Sequence, residues 1–116
     1  MKLVVAVIQP TKLNAVCAGL EEIEVMRMTV SDAQGFGRQL GRTEQYRGQE
    51  TGQTLLRKIV LEIVVNEDFL ERTLEAITNL ARTGSEGTIG DGKIFVLPTE
   101  EAVLISDGGR GPRAVS

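Results

Sequence analysis

The chain has 116 residues, of which 41% are hydrophobic and 25% charged, with a net charge of -3. This describes one soluble domain, 1–116, long enough to bury a core and helped by self-association. The acidic balance and a 3% aromatic content argue against general nucleic-acid binding and against a base-stacking platform. With no histidine and one cysteine, Cys17, an intrachain disulfide and a Cys-His or Ser-His pair are excluded, and a structural zinc site is disfavoured.

Lys2 leads directly into Leu3 to Ile8, apolar and rich in β-branched residues. The run predicts a central strand buried on both faces. No small-residue cleavage site precedes it and no run is long enough to cross a bilayer, so a cytoplasmic location is expected. Pro10 ends the strand. Thr11 is placed to cap a helix whose stripe is Leu13, Val16, Cys17, Leu20 and Ile23. Cys17 on that stripe reads as a small core residue rather than a nucleophile.

Val25 to Gln34 alternates, with Met26, Met28 and Val30 on one side and Arg27, Thr29 and Ser31 on the other. The polar stretch Gly35 to Lys58 follows, nearly free of aliphatic residues and carrying five glycines. Compact domains rarely hold so long a connection without a use for it, so it reads as a functional loop, with an inconsequential insertion as the alternative. Ile59 to Val65 alternates again. Glu62 lies between Val60 and Val64 on the second face, either facing a cation of another subunit or solvated at an edge.

Asn66 is placed to cap a second helix, with Glu67 and Asp68 in its first turn. Its stripe is Leu70, Leu74, Ile77 and Ala81, flanked by Phe69 and Leu80, and Arg82-Thr83-Gly84 ends it. A glycine-dense loop runs to Lys93, Ile94 to Leu97 forms a strand, and Glu101 to Ser106 reads as a further short one. From Asp107 the tail is expected to be loosely held. Two strand-helix-strand units of this size fit an α+β, ferredoxin-like βαββαβ fold with helices on one face of an antiparallel sheet. A homo-oligomer would cover the other face.

Two glycine-rich segments, Gly35 to Gly41 and Gly84 to Lys93, can bring backbone amides close to an anion, with Arg38 and Lys93 beside them. Gly87 to Lys93 has the spacing of a P-loop, but Ile94 stands where that motif needs Ser or Thr and no strand precedes it. A P-loop nucleoside-triphosphatase is therefore not supported.

Across nearly its whole length the chain resembles the PII signal-transduction proteins. The resemblance is carried by Gln9-Pro10-Thr11-Lys12-Leu13, Met28-Thr29-Val30, Gly35-Phe36-Gly37-Arg38-Gln39, Thr43-Glu44 and Tyr46-Arg47-Gly48. It continues in Lys58, Glu62-Ile63-Val64-Val65, Ala81-Arg82-Thr83-Gly84 and Gly90-Asp91-Gly92-Lys93-Ile94-Phe95-Val96. It implies a homotrimer with projecting T-loops, here about 37–56, and a glycine-rich B-loop at about 82–92. It implies adenine nucleotides (ADP, AMP or ATP) in clefts between subunits, contacted by Val7, Thr29, Gly35, Gly37, Arg38, Gln39, Val64, Gly90, Asp91, Gly92 and Lys93. It implies a small anion, 2-oxoglutarate, held by Gln39, Gly41 and Lys58, with Mg²⁺ at Gln39. A protein target, such as a transporter or a metabolic enzyme, would be met by Arg42, Tyr46 and Arg47.

The chain departs from the family pattern in ways that bear on those expectations. Leu104 and Ser106 stand where typical members carry two phosphate-clamping arginines, which predicts a relative loss for a triphosphate, with Arg110 and Arg113 the only tail cations to replace them. The B-loop is about three residues longer, through Ser85-Glu86-Gly87. Thr51 replaces the commonly modified tyrosine and Gln49 a modified serine, so uridylylation at that tyrosine position is not available. The expected function is non-enzymatic regulation of nitrogen metabolism. The alternatives are a PII-like regulator of inorganic carbon that binds ADP or AMP with bicarbonate, a slow ATPase, and a purely structural adaptor.

Overall fold

A computed structural model describes residues 1–37, 45–46, 49–50 and 54–115. Strand β1, Lys2–Ile8, lies at the centre of a four-stranded sheet, followed by helix α1, Leu13–Glu22, and strand β2, Thr29–Gly37. A two-residue ladder joins β3, Gln45–Tyr46, to β4, Gln49–Glu50. Strand β5, Thr54–Val65, helix α2, Glu67–Ala81, and strand β6, Gly92–Pro98, complete the domain. The sheet order is β2-β5-β1-β6, and each neighbouring pair is antiparallel. β1 and β2 are therefore parallel with β5 inserted between them, which is the ferredoxin-like split β-α-β arrangement.

The helices cover one face. Val4, Ala6 and Ile8 of β1 and Ile59, Leu61, Ile63 and Val65 of β5 meet Val16 and Leu20 of α1 and Ile77 and Ala81 of α2. The period-2 pattern of β5 and the helical stripe of α1 are thus realised as read. β1 is central, but only its even-numbered residues Val4, Ala6 and Ile8 are buried: Leu3, Val5 and Val7 are half-exposed on the face away from the helices. The expectation of burial on both faces is corrected for the single chain. Val5 pairs with Glu62 and Phe95, and Leu3 with Val64 and Leu97, so the open face is an apolar sheet surface. Phe95 is 50% and Leu97 43% exposed on it. Glu62 is exposed on the same face.

Local details differ from the sequence reading. Thr11 does not cap α1; it lies within a 3-10 turn, Pro10–Lys12, and α1 begins after it. Cys17 is half-buried rather than a full core residue. α1 ends in a left-handed turn at Glu24, φ 65°, where Val25 N–H donates to the Leu20 carbonyl at 2.9 Å. The turn at 23–24 leads into an irregular segment, 25–28, so the next strand starts at Thr29 instead of Val25 and Met26 is exposed. At the other end β2 and β5 extend into the polar stretch as far as Gly37 and Thr54, because ladder pairing satisfies backbone groups whatever the side chains. An Arg57–Asp32 ion pair at 3.0 Å sits on this ribbon.

Asn66 occupies the N-cap of α2 without capping it; its Nδ2 donates instead to the Pro112 carbonyl at 3.3 Å. Thr73, missed by an apolar stripe, is fully buried because its Oγ1 donates to the Phe69 carbonyl at 2.7 Å within the helix. The tail is folded rather than loose. Val103 bridges Arg110, Leu104 N–H donates to the Gly109 carbonyl at 2.8 Å, and a 3-10 turn at Pro112–Ala114 docks beside α2. The expected strand at 101–106 is reduced to that single bridge.

The two helices approach closely at Gly19, where an added Cβ would lie 2.1 Å from Leu80 Cδ1. Leu80 is only half-buried, so its terminal methyl can yield to one carbon but not to a branched side chain. Gly19→Ala is expected to be near neutral, the helix-propensity gain offsetting the crowding. Gly19→Leu should cost about 1–3 kcal/mol by overpacking. Urea unfolding of both variants checks this ordering.

Candidate functional site

The turn between α2 and β6 is built around one carboxylate. Asp91 Oδ2 accepts the backbone N–H groups of Thr83 at 3.0 Å and Thr88 at 2.9 Å. Its Oδ1 accepts the hydroxyls of the same two residues at 2.6 and 3.2 Å. Thr83 and Thr88 flank the additional residues Ser85-Glu86-Gly87, and Gly87 N–H closes a turn on the Thr83 carbonyl at 3.0 Å. The lengthened segment is therefore pinched off as a separate turn, with 88–93 held on its far side. Desolvation is the largest single influence on the Asp91 carboxyl and pushes it up. The hydrogen bonds from Thr83 and Thr88 together outweigh it and hold the group well below the usual carboxylate range.

The far side of the loop is tied to the sheet at two points. Gly92, φ 114°, packs against β1 so closely that a Cβ would lie 1.8 Å from the Val7 carbonyl oxygen. Only glycine combines that conformation with that approach. Two residues earlier the Gly90 carbonyl accepts both Gln9 Nε2 at 2.7 Å and Lys58 Nζ at 2.6 Å. Partial burial lowers the Lys58 pKa, and the nearby Asp91 charge opposes that shift. Lys93 follows, exposed and paired in register with Val7.

Of the residues read as nucleotide contacts, Val7, Asp91, Gly92 and Lys93 line a single cavity of about 570 Å³ between the loop, β1 and the end of α2. Gly90 and Lys58 stand beside this group through their mutual hydrogen bond. Gly35 and Gly37 lie at the outer end of the β2-β5 ribbon, opposite Leu56 and Thr54. Thr29 and Val64 are elsewhere. Val64 lines a second cavity of about 330 Å³ with Met26, Arg27, Phe69 and Val115. Val7 is in register with Val60, and Val64 with Leu3, four residues along the strand. At the rise of an extended strand that is roughly 14 Å. The residues read as nucleotide contacts thus fall at two separate places on one chain. Arg38, Gln39, Gly41, Arg42 and Arg47 fall outside the described residues. Tyr46 is placed only as backbone, in β3.

The tail cations are engaged locally. Arg110 pairs with Glu101 at 3.7 Å and Arg113 with Asp107 at 3.9 Å. Sequence reasoning named Gln9 and Thr83 only within family-like runs, with Thr83 also in the stop of the second helix, and assigned no site role to Gln9, Thr83 or Thr88. Their signal was weak: a Gln beside a proline and two threonines around glycines are common, and only the folded chain shows the shared acceptors.

The model of the nitrogen regulatory protein P-II family matches residues 1–109. The chain belongs to this family. It is 50% identical over 115 residues to the nitrogen regulatory protein GlnK1 of Methanosarcina mazei, covering 99% of this chain and 97% of that protein. The P-II proteins of Azospirillum brasilense and Rhodospirillum rubrum are 46% and 47% identical over the same length, in both cases 99% of this chain and all of theirs. The protein is accordingly a P-II-type nitrogen regulatory signalling protein.

Asp91→Ala should free both ends of the inserted turn and raise amide exchange at Thr83 and Thr88 by about tenfold or more, since charge-assisted hydrogen bonds are lost. Asp91→Asn should largely preserve the loop, because its Oδ1 can accept the two amides while the rotatable hydroxyls accept from its NH₂. A carboxyl depressed on folding stabilises above its unfolded pKa, about 3.9, and loses that contribution only as pH falls towards the folded value. The Thr83 and Thr88 amide resonances should therefore hold their neutral-pH positions well below pH 4, while the stability that the carboxylate contributes begins to fall at about that pH.

Proposed function

We propose that this P-II protein works as a non-enzymatic, cytoplasmic homotrimer that binds an adenine nucleotide between subunits and a small anion beside it. The occupied state would set the pose of the 37–56 loop against a protein target. The observation that carries the reading is the separation of Val7, Asp91, Gly92 and Lys93, which line one cavity, from Val64, which lines another, and from Thr29, paired with Glu62 at the same end of the sheet as Val64. With residues about 14 Å apart along a strand in one chain, a second copy that brings its other half against the first would let both sets meet one ligand. The apolar open face of the sheet supports self-association by the same surface logic.

The described residues fit a nucleotide's charged end. Gly90 and Gly92 keep the backbone bare and close, and Lys93 adds a cation at the loop exit. The nucleotide supplies the signal; it undergoes no proposed chemistry. Among the described residues no cluster of three metal-ligating side chains exists, and the Mg²⁺ contact proposed for Gln39 belongs to the undescribed segment. Lys58, half-buried at the root of the ribbon, is suited to a carboxylate of 2-oxoglutarate.

Arg110 and Arg113 already have acidic partners, which supports weak compensation for the absent arginines at Leu104 and Ser106. ADP or AMP is expected to bind at least as tightly as ATP. Calorimetry on purified protein checks this, and much tighter ATP binding would overturn it. Titrating 2-oxoglutarate and then bicarbonate against nucleotide-loaded protein identifies the anion. Light scattering should give three subunits; a monomer, or phosphate release well above background, would overturn the reading.

A further inference from the structure

The Gly90 carbonyl has two donors of unlike character. Gln9 Nε2 reaches it from the junction of β1 with the 3-10 turn, at 2.7 Å. Lys58 Nζ reaches it from β5, at 2.6 Å. A carbonyl oxygen has two lone pairs, so both bonds form together. Their consequences differ. The Gln9 amide is neutral and competes poorly for an incoming anion. The Lys58 ammonium is charged and partly desolvated, and spends only one of its three N–H groups on this oxygen. An anionic acceptor forms the stronger, charge-assisted bond with it. When Lys58 turns to such a ligand, the half-buried Gly90 carbonyl would be orphaned if Lys58 were its only partner.

We propose that Gln9 is a positioning residue for the 88–93 loop, retaining the Gly90 carbonyl so that Lys58 is released to an anionic ligand without the loop opening. The two side chains form a redundant clamp. Lys58 is the exchangeable arm, and Gln9 is the fixed one. This division gives a role to a contact that spans 81 positions of sequence. Holding the loop needs no ligand; the exchange of Lys58 rests on the anion-binding reading above.

The test is a double-mutant cycle on the whole protein, Gln9→Met and Lys58→Met, which remove each donor at similar volume. The first readout is amide exchange of residues 88–93 without any ligand. Each single variant should raise exchange modestly. The double variant should exceed the product of the two by roughly tenfold or more, as for groups sharing one partner. Urea unfolding of each variant separates local loop opening from a general loss of stability. The second readout adds ADP or ATP with 2-oxoglutarate: loop exchange should rise on anion addition in Gln9→Met but not in the parent. Independent, multiplicative effects in the cycle, or a Gln9→Met loop indistinguishable from the parent in the Lys58→Met background, would overturn the clamp. A parent protein that binds no nucleotide or anion would overturn the proposed function and the exchange of Lys58, while the ligand-free cycle would still decide the clamp.

Discussion

The packing of Gly92 on the backbone of Val7 is the constraint from which the rest follows. β6 enters the sheet at that point, so the register Lys93–Val7, Phe95–Val5 and Leu97–Leu3 is set there. A side chain at 92 would collide with the Val7 carbonyl and displace the first ladder pair. Because β1 is shared by β5 and β6, an error at this edge would reach the core through Val4, Ala6 and Ile8. The same contact fixes where the preceding loop begins, and so brings Asp91 and Gly90 within reach of Thr83, Lys58 and Gln9.

Two kinds of interaction then share the loop without interfering. Asp91 faces inward to Thr83 and Thr88 and spends both oxygens on them. It therefore acts as a structural anion, and the positive character of Lys93 is left at the loop surface. The pinched turn at 85–87 lets the chain carry additional residues without altering the segment that follows. An insertion placed between 88 and 92 would have no such isolation, because Thr88 is tied to Asp91, and Gly90 and Gly92 are tied to the sheet and its flanking side chains.

The sheet has two unlike faces. Its helix-covered face holds the core in one chain. Its opposite face is apolar and uncovered in the single chain, with Leu3 and Val5 of β1 aligned against Leu97 and Phe95 of β6. The end of the sheet carrying Val64 and Thr29 lies on a different border from the end carrying Val7 and Lys93.

Much of this was legible in order along the chain. Alternation in Ile59–Val65, the stripe of α1, and the Arg82-Thr83-Gly84 stop follow from local periodicity and termination chemistry, which need no distant partner. The family likeness was equally legible, because its motifs are contiguous runs such as Gly90 to Val96. What the tertiary structure decided was every feature that depends on a remote acceptor. Asn66 turns from its own helix to Pro112, the tail folds back on itself, and β2 and β5 lengthen through mutual pairing. The joint hold of Gln9 and Lys58 on Gly90 spans 81 and 32 positions of sequence. No window of residues encodes such a meeting; it exists only once the sheet has brought three segments to one oxygen atom.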